Sequence, residues 1–475
     1  MPDRQTIPLY VDLDGTLIYS DCLYESFLRL LRVNPFAIFM AIYWLMKGGR
    51  EYMKAQIAER AEIDILTLPY NEPFIDWLAQ EKSQGRVIIL ATASHRKFAE
   101  AIAAHLGLFN RVLASNAHLN LKGKRKARCL VEESGEKGFD YAGDSKADLK
   151  VWADSHAGII VSNSKKLIRS ASALTHIERI FPSKQSGFSL AALRPHQWLK
   201  NVLLFVPLLT SHSFSNGSVL LTALAAFISM SMCASSVYIL NDLLDLEEDR
   251  LHQHKRNRPY AAGKASIVGG IITLIGLLVG GFAIAAWVGP DFMFWLGVYY
   301  ALTLAYSLKL KRIKIIDILV LASLYTIRII AGAAAVNVPL SAWLLTFSMF
   351  FFLSLSLVKR YADLVSMKES GLSGPIPGRQ YDVRDIRLIQ WFGLLSGCLA
   401  VLVLALYIIS SDALALYTHT QWLWWLIPLV FLWIFRVWWA AHEGKIHSDP
   451  VLFVIKDNLS QLMLGVLIFL VVLAI

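Results

Sequence analysis

The stretch Ile7-Pro8-Leu9-Tyr10-Val11-Asp12-Leu13-Asp14-Gly15-Thr16 decides how the N-terminal part of this 475-residue chain reads. A short apolar run ends on two carboxylates, a glycine and a hydroxyl. Strands buried on both faces of a parallel sheet read this way. Side chains two apart on a strand leave from the same side, so Asp12 and Asp14 start out together. Runs of the same kind recur at 86–91, 111–114, 139–142 and 157–161, most of them separated by helical patterns such as 98–106 and 126–133. That order predicts a doubly wound α/β domain, in which ligands bind beyond the carboxyl ends of the strands. The chemistry-bearing residues gather at such ends: Asp12 and Asp14, Thr92, Lys126 at the start of a helix, then Asp144 and Asp148.

From about residue 198 the composition changes. Apolar runs of about 15 to 23 residues recur, and about 20 apolar residues cross a bilayer as a helix. The expected spans are 198–212, 217–240, 265–287, 291–308, 315–336, 341–358, 388–410, 421–440 and 454–474. The formal charge of +10 does not mark a nucleic-acid partner, because Lys and Arg sit in alternate loops. Residues 250–264, 309–314 and 359–387 are basic, Lys445 marks a fourth such loop, and the intervening loops carry neither Lys nor Arg. Basic loops stay on the cytoplasmic side. With about nine spans, the N-terminal domain is expected in the cytoplasm and the C-terminus outside. No signal peptide is read at the N-terminus, and Cys22, Cys129, Cys233 and Cys398 have no metal-ligand spacing.

A second acidic stretch lies at a membrane edge. Asp242, Asp245 and Asp249 fall at i, i+3 and i+7, with Asn241 four before Asp245. On a helix these share a face. Carboxylates crowded this way repel, and metal ions bridging to a diphosphate would relieve them. Arg256, Arg258 and Lys264 follow closely enough to meet phosphate oxygens. A solvated loop balancing acids with bases is the plainer account.

The four N-terminal motifs, in their order, resemble the haloacid dehalogenase-like hydrolases over residues 6–165. The resemblance implies a nucleophile at Asp12 that carries an aspartyl phosphate and a general acid/base at Asp14. It implies a phosphoryl-holding hydroxyl at Thr92, with Ser94 as substitute, and a charge-offsetting lysine at Lys126, with Lys124 close by. Asp144 would ligate Mg²⁺ together with Asp12 and Asp14, and Asp148 would support or join them. A fold that kept its acidic turn and lost the chemistry is the alternative. Residues 20–75 read as a helical cap. Within it, 35–46 is nearly all apolar and is followed by Lys47 and Arg50. This run is too short to span, so it either rests on the membrane surface or is a buried cap helix. Residues 181–192 read as a linker, dividing a domain at 1–180 from a membrane domain at 193–475.

The membrane half resembles the UbiA prenyltransferase superfamily, through Asn241-Asp242-x-x-Asp245-x-x-x-Asp249 among the spans. Arg194-Pro195-His196-Gln197-Trp198-Leu199-Lys200-Asn201, Tyr306-Ser307 with Lys309 and Lys311, Arg328-Ile329-Ile330-Ala331-Gly332-Ala333 and Lys359-Arg360-Tyr361-Ala362-Asp363 are similar to its decaprenyl-phosphate phosphoribosyltransferase branch. Metal ligation is expected at Asn241, Asp242, Asp245 and Asp249. Substrate contacts are expected at Asn241, Arg256, Arg258, Lys200, Tyr306, Lys309, Arg328, Lys359, Arg360 and Asp363. Snorkelling to headgroups is the alternative for Arg194 and Lys200, and mutual pairing is the alternative for Arg328 and Asp317. The loop after Lys359-Arg360 is richer in cations than a second Asp-rich motif would be, which suits two anionic substrates; a second metal motif at Asp382 and Asp385, beside Arg379 and Arg384, is the alternative.

These readings imply an enzyme of a bacterial inner membrane. It would use Mg²⁺ to move 5-phosphoribose from phosphoribosyl pyrophosphate to a polyprenyl phosphate, and its hydrolase domain would remove the 5-phosphate. The bilayer is a partner, nucleic acid is not, and a homo-oligomer is left open. The rivals are prenyl transfer to an aromatic or other acceptor, and an N-terminal domain that only docks.

Overall fold

The computed structural model describes residues 7–116, 121–183, 189–212, 216–253, 255–369, 380–446, 450, 453 and 456–475. The chain forms two compact units. One combines Met1–Leu193 with Tyr238–Ile275; the other combines Arg194–Val237 with Gly276–Ile475. The expected linker falls partly on residues 184–188 and the third basic loop partly on 370–379, outside the described residues.

The first unit is built on six parallel strands: β1 (Leu9–Val11), β2 (Ile88–His95), β3 (Arg111–Ser115), β4 (Asp140–Gly143), β5 (Ala157–Val161) and β6 (His176–Phe181), in the order β3-β2-β1-β4-β5-β6. Alternation divides each strand between two cores. Leu9, Val11, Ile88, Leu90, Ala142 and Ile159 pack on one face with Phe74, Trp77 and Phe98. Tyr10, Ile89, Ala91, Tyr141 and Ile160 pack on the other with Trp152. Both faces are therefore covered, as a parallel sheet requires. The sixth strand was not anticipated, because His176-Ile177-Glu178-Arg179 at the sheet edge mixes polar with apolar side chains. At the opposite end of the strands from Asp12, the buried Arg86 ties Glu81 (2.7 Å) to Asp140.

The helices of this part are α1 (Cys22–Val33), α2 (Ala37–Arg60), α3 (Glu72–Ser83), α4 (Arg96–Leu106), α5 (Lys124–Ser134), α6 (Leu149–Trp152) and α7 (Lys165–Ser172). The first two form the expected cap. α1 is capped by Asp21, which accepts from the amides of Leu23 and Tyr24. α2 is kinked at Gly48 and Gly49, the latter with φ +72°.

Beyond them lie α8 (Val206–Thr210), α9 (Gly217–Leu244), α10 (Leu246–Leu251), α11 (Ile267–Val288), α12 (Pro290–Leu308), α13 (Ile316–Val336), α14 (Ala342–Glu369), α15 (Ile386–Ile408), α16 (Ser411–Leu416), α17 (Leu426–His442) and α18 (Asn458–Ala474). Among the described residues, six helical stretches are long and apolar enough to cross a membrane: Gly217–Leu244, Ile267–Val288, Ile316–Val336, Ala342–Glu369, Val383–Ile408 and Thr420–His442. The protein is thus a multi-pass membrane protein, with six such stretches where nine were expected. The expected span 198–212 is instead a 3₁₀ stretch, Pro195–Phe205, followed by the five-residue α8. Pro195 and Pro207 lack the amide a continuous α-helix needs. α12 is helical where expected, but Asp291, Thr303, Ser307 and three tyrosines lower its apolarity. α18 has 17 residues.

Candidate active sites

The carboxyl ends of β1, β2 and β4 and the start of α5 converge on a cavity of about 280 Å³. Asp12, Asp14, Asp144 and Asp148 line it, with Asp21 from the cap, and Arg50, Lys54, Lys122 and Lys126 supply positive charge. Lys126, deeply buried although a lysine, lies 3.0 Å from an oxygen of Asp12. Its ammonium also donates to the Tyr141 hydroxyl (2.9 Å), which donates to Asp148 (2.8 Å). Asp148 accepts as well from the amide and hydroxyl of Ser145 (3.0 and 2.7 Å). These bonds fix the lysine and one carboxylate in place.

Oxygens of Asp12, Asp144 and Asp148 lie within 4.8 Å of one another and could hold a cation. Burial pushes the Asp12 carboxyl above its usual range, with Lys126 opposing. Burial and the neighbouring Asp148 push Asp144 well above it. Buried carboxylates that resist ionisation together are what a hard divalent cation would stabilise, and oxygen donors suit Mg²⁺, so the residues fit the metal. Gly15, at φ +78°, is required here, because a Cβ would collide with the Asp144 carboxylate.

Asp14 stands apart from that trio. One oxygen accepts from the Cys22 amide (2.9 Å), and the other accepts from the Ser94 hydroxyl. Burial, reinforced by Asp21, pushes it up to about 7, in the range a group that both gives and takes a proton needs. Thr92 is fully buried, and its hydroxyl oxygen accepts from the Ser94 amide (3.0 Å). Ser94 is therefore the hydroxyl in contact with Asp14. Lys126 is the lysine at Asp12; Lys124 is the first residue of α5 and is not among the residues lining the cavity.

Sequence reasoning missed part of this cavity. Arg50 and Lys54 follow the α2 kink, and Ser266, Ile267 and Val268 form a wall at the start of α11. That wall, at the beginning of a stretch able to cross a membrane, is far in sequence from the motifs, so no local pattern could signal it.

The second acidic set straddles the junction of α9 and α10, with Asp245 at the break. Backbone bonds from Asp245 to Asn241 (2.9 Å) and from Asp249 to Asp245 (2.8 Å) carry a helical ladder across the break at Asp245. Asp242 and Asp249 are buried and converge. Nη1 of Arg258 lies 3.1 Å from the former and 2.6 Å from the latter. Arg258, expected to meet substrate phosphate, thus bridges the two buried carboxylates of the acidic face. Burial pushes Asp249 up, with Arg258 opposing. Asn241 and Asp245 are half-buried and Arg256 is exposed. The set is also tied to the cap of the same unit. Arg32 pairs with Glu248 and lies 3.4 Å from Asp245; Arg29 pairs with Glu247 (3.0 Å) and Arg250 with Glu25 (2.6 Å).

In the second unit, Tyr306, Arg360 and Asp363 do come together. Fully buried Arg360 donates from Nε and Nη2 to Asp317 (2.6 and 3.1 Å), from Nη1 to Asp363 (2.7 Å) and from Nη2 to the Tyr306 hydroxyl (3.2 Å), which itself donates to Asp317 (2.8 Å). The alternative pairing of Arg328 with Asp317 is thereby corrected. Arg328 donates to Asn201 (2.9 Å), the Leu324 carbonyl (2.6 Å) and Tyr299 (3.0 Å). Burial of both arginines explains the partition, since each must meet acceptors along its own helix and its nearest neighbours. Lys309 is exposed, and Lys200 and Lys359 are half-buried.

Comparison with known proteins matches the two parts of the chain to two families. The haloacid dehalogenase-like hydrolase family matches residues 9–152, and the UbiA prenyltransferase family matches residues 202–449. An uncharacterised protein of Sinorhizobium fredii, y4nM, is 35% identical over 96% of this chain and 89% of its own length. Nodulation protein NoeC of Azorhizobium caulinodans is 34% identical over 57% of this chain and 87% of its own. Decaprenyl-phosphate phosphoribosyltransferase of Mycobacterium tuberculosis is 31% identical over 57% of this chain and 89% of its own. The UbiA match covers more than half of the chain, and the chain belongs to the UbiA prenyltransferase family, fused to a haloacid dehalogenase-like hydrolase domain.

Proposed function

We propose that the protein is a bifunctional enzyme of a bacterial inner membrane. Its membrane domain, residues 193–475, transfers 5-phosphoribose from phosphoribosyl pyrophosphate to a polyprenyl phosphate. Its hydrolase domain, residues 1–180, then removes the 5-phosphate. The observation that carries the reading is the composition of one cavity. Asp12, Asp14, Lys126 and Asp144 share it with Ser266, Ile267 and Val268, the first residues of a membrane-length helix and its approach. A phosphatase pocket with such a wall suits a phosphate borne by a lipid. The similarity to decaprenyl-phosphate phosphoribosyltransferases supports the transfer step.

In the hydrolase, an Asp12 oxygen attacks phosphorus and the bond to the ribose 5-oxygen breaks. Asp14, oriented by Ser94 and the Cys22 amide, gives the departing oxygen its proton. It then takes one from the water that cleaves the aspartyl phosphate, releasing phosphate and restoring both carboxyl groups. Lys126 offsets charge on the phosphoryl oxygens. Asp12, Asp144 and Asp148 would hold Mg²⁺, which supplies further neutralisation of those oxygens.

In the transferase, a lipid phosphate oxygen bonds to the anomeric carbon as its bond to pyrophosphate breaks. Asn241, Asp242, Asp245 and Asp249 would hold Mg²⁺ and the leaving pyrophosphate, and Arg258 already marks their face as one that gathers positive charge. The alternation of basic and neutral loops supports a cytoplasmic position for both sites.

Products are followed by mass after labelled phosphoribosyl pyrophosphate and polyprenyl phosphate are supplied to the purified full-length protein. Asp242→Ala should abolish transfer. Asp12→Asn should let transfer proceed while the 5-phosphorylated lipid accumulates. Wild-type turnover by the Asp242 variant removes the transferase assignment, and identical lipids from wild type and Asp12→Asn remove the coupled hydrolysis. Prenyl transfer would appear as a product lacking ribose.

A further inference from the structure

We propose that residues 33–46 are a membrane-interface anchor that seats the cap of the hydrolase on the phospholipid headgroup layer. The segment is apolar on two sides for two reasons. Ala37, Ala41 and Trp44 turn inward, the last two packing with Ile57. Phe36, Phe39, Ile42, Tyr43 and Met46 turn outward, 71%, 67%, 51%, 59% and 82% exposed, and Val33 just before them is 74% exposed. The outward residues at 39, 42, 43 and 46 follow helical spacing, so they form one continuous face. A face of this size on a soluble surface marks an interaction site.

The occupant follows from what adjoins it. Arg32, the residue before Val33, has its guanidinium 3.4 Å from the carbonyl of Leu244, the last residue of the 28-residue apolar helix α9. The end of a spanning helix lies at headgroup level, and Arg32 brings the start of the apolar face to that level within the same compact unit. The pairs Arg29–Glu247, Arg32–Glu248 and Arg250–Glu25 hold α1 there. At the other end, exposed Lys47 lies 5.8 Å from the rings of Tyr43 and Tyr52. An ammonium with aromatic neighbours beside an apolar face matches the polar margin of an interfacial helix. The Gly48–Gly49 kink follows at once, and after it Arg50 and Lys54 enter the phosphatase cavity. The anchor therefore fixes the height of the cavity above the bilayer.

The test uses full-length protein in phosphatidylcholine/phosphatidylglycerol nanodiscs. Cys129 and Cys398 are replaced by Ser, and the buried Cys22 and Cys233 are kept. Nitroxide labels at Phe39→Cys, Ile42→Cys and Met46→Cys are compared with one at Glu59→Cys, whose side chain is 61% exposed. Collision with oxygen and with a water-soluble nickel chelate is read by power saturation. The three anchor positions should favour oxygen over nickel, and Glu59→Cys should show the reverse. Nickel access at the anchor overturns the proposal in favour of a hydrated face. Exclusion of both reagents overturns it in favour of cover by protein, such as a second copy of the chain. The triple variant Phe39→Glu, Ile42→Glu, Met46→Glu should keep its hydrolysis of p-nitrophenyl phosphate and lose tenfold or more with the phosphoribosyl lipid in bilayers. An equal loss on both substrates overturns the role of the anchor in lipid access. That last comparison rests on the proposed hydrolase reading. A wild type inert towards both phosphates would remove the reading and leave the label depths to decide the anchor.

Discussion

Replacing Lys126 by Met tests the phosphatase chemistry at a deeply buried charge. The ammonium sits 3.0 Å from Asp12. At an effective dielectric near 20, a unit pair at that separation attracts by about 5 kcal/mol. Desolvation of both groups offsets most of this in the resting protein. The net folding cost is small because Asp12, already pushed up by burial, can take a proton once its partner is gone. The transition state has no such escape, since the phosphoryl oxygens carry charge that must be met. Loss of one preorganised positive group there costs about 3–4 kcal/mol, or roughly 10²–10³ in rate. We therefore expect kcat for p-nitrophenyl phosphate to fall by that factor in detergent-solubilised full-length protein, with KM and the thermal midpoint changed little. Lys126→Arg should recover part of the rate. A kcat for Lys126→Met within tenfold of wild type would refute the reasoning and shift the charge-offsetting role to Lys54 or Arg50.

Arg360→Met should destabilise the protein by about 3–5 kcal/mol, because it strands the fully buried Asp317. Adding Asp317→Leu should return much of that loss in detergent unfolding, and a single variant as stable as wild type would show that the pair is not buried as described. Gly15→Ala should cost about 1–2 kcal/mol for the left-handed backbone and, by displacing Asp144, raise the Mg²⁺ concentration for half-maximal hydrolysis at least tenfold. An unchanged Mg²⁺ titration would remove Asp144 from the metal site.

The α/β part was legible because its signals are local. A strand such as Leu9–Val11 announces both its burial and the position of Asp12 and Asp14. The edge strand His176–Phe181 was not legible, since one open side lets polar residues interrupt its alternation. Among the membrane segments, length and apolarity identified helices well, but prolines at 195 and 207 overrode apolarity in 198–212. Composition alone could not tell a buried from a membrane-facing 35–46, because an apolar helix looks the same in both settings until its inward face is known. At the sites, the carboxylates, Lys126 and Ser94 stand out by type and spacing, whereas the arginine pairings of the second acidic set do not. Arg32 and Arg258 reach Asp245 and Asp242 from 213 and 16 residues away, and only tertiary structure brings them there.

The first unit closes on itself with a piece of chain made late. Met1–Leu193 is joined in it by Tyr238–Ile275, so the ribosome must add the intervening and returning residues before that unit can be complete. At about 5–20 residues per second, this takes roughly 4–16 s. During that interval Glu25 lacks Arg250 and the cavity lacks its wall from Ser266 to Val268. Delivery of the nascent membrane helices would therefore set the moment at which the hydrolase matures. A fragment cut after Leu193 would carry the motifs of a phosphatase without the whole of its pocket.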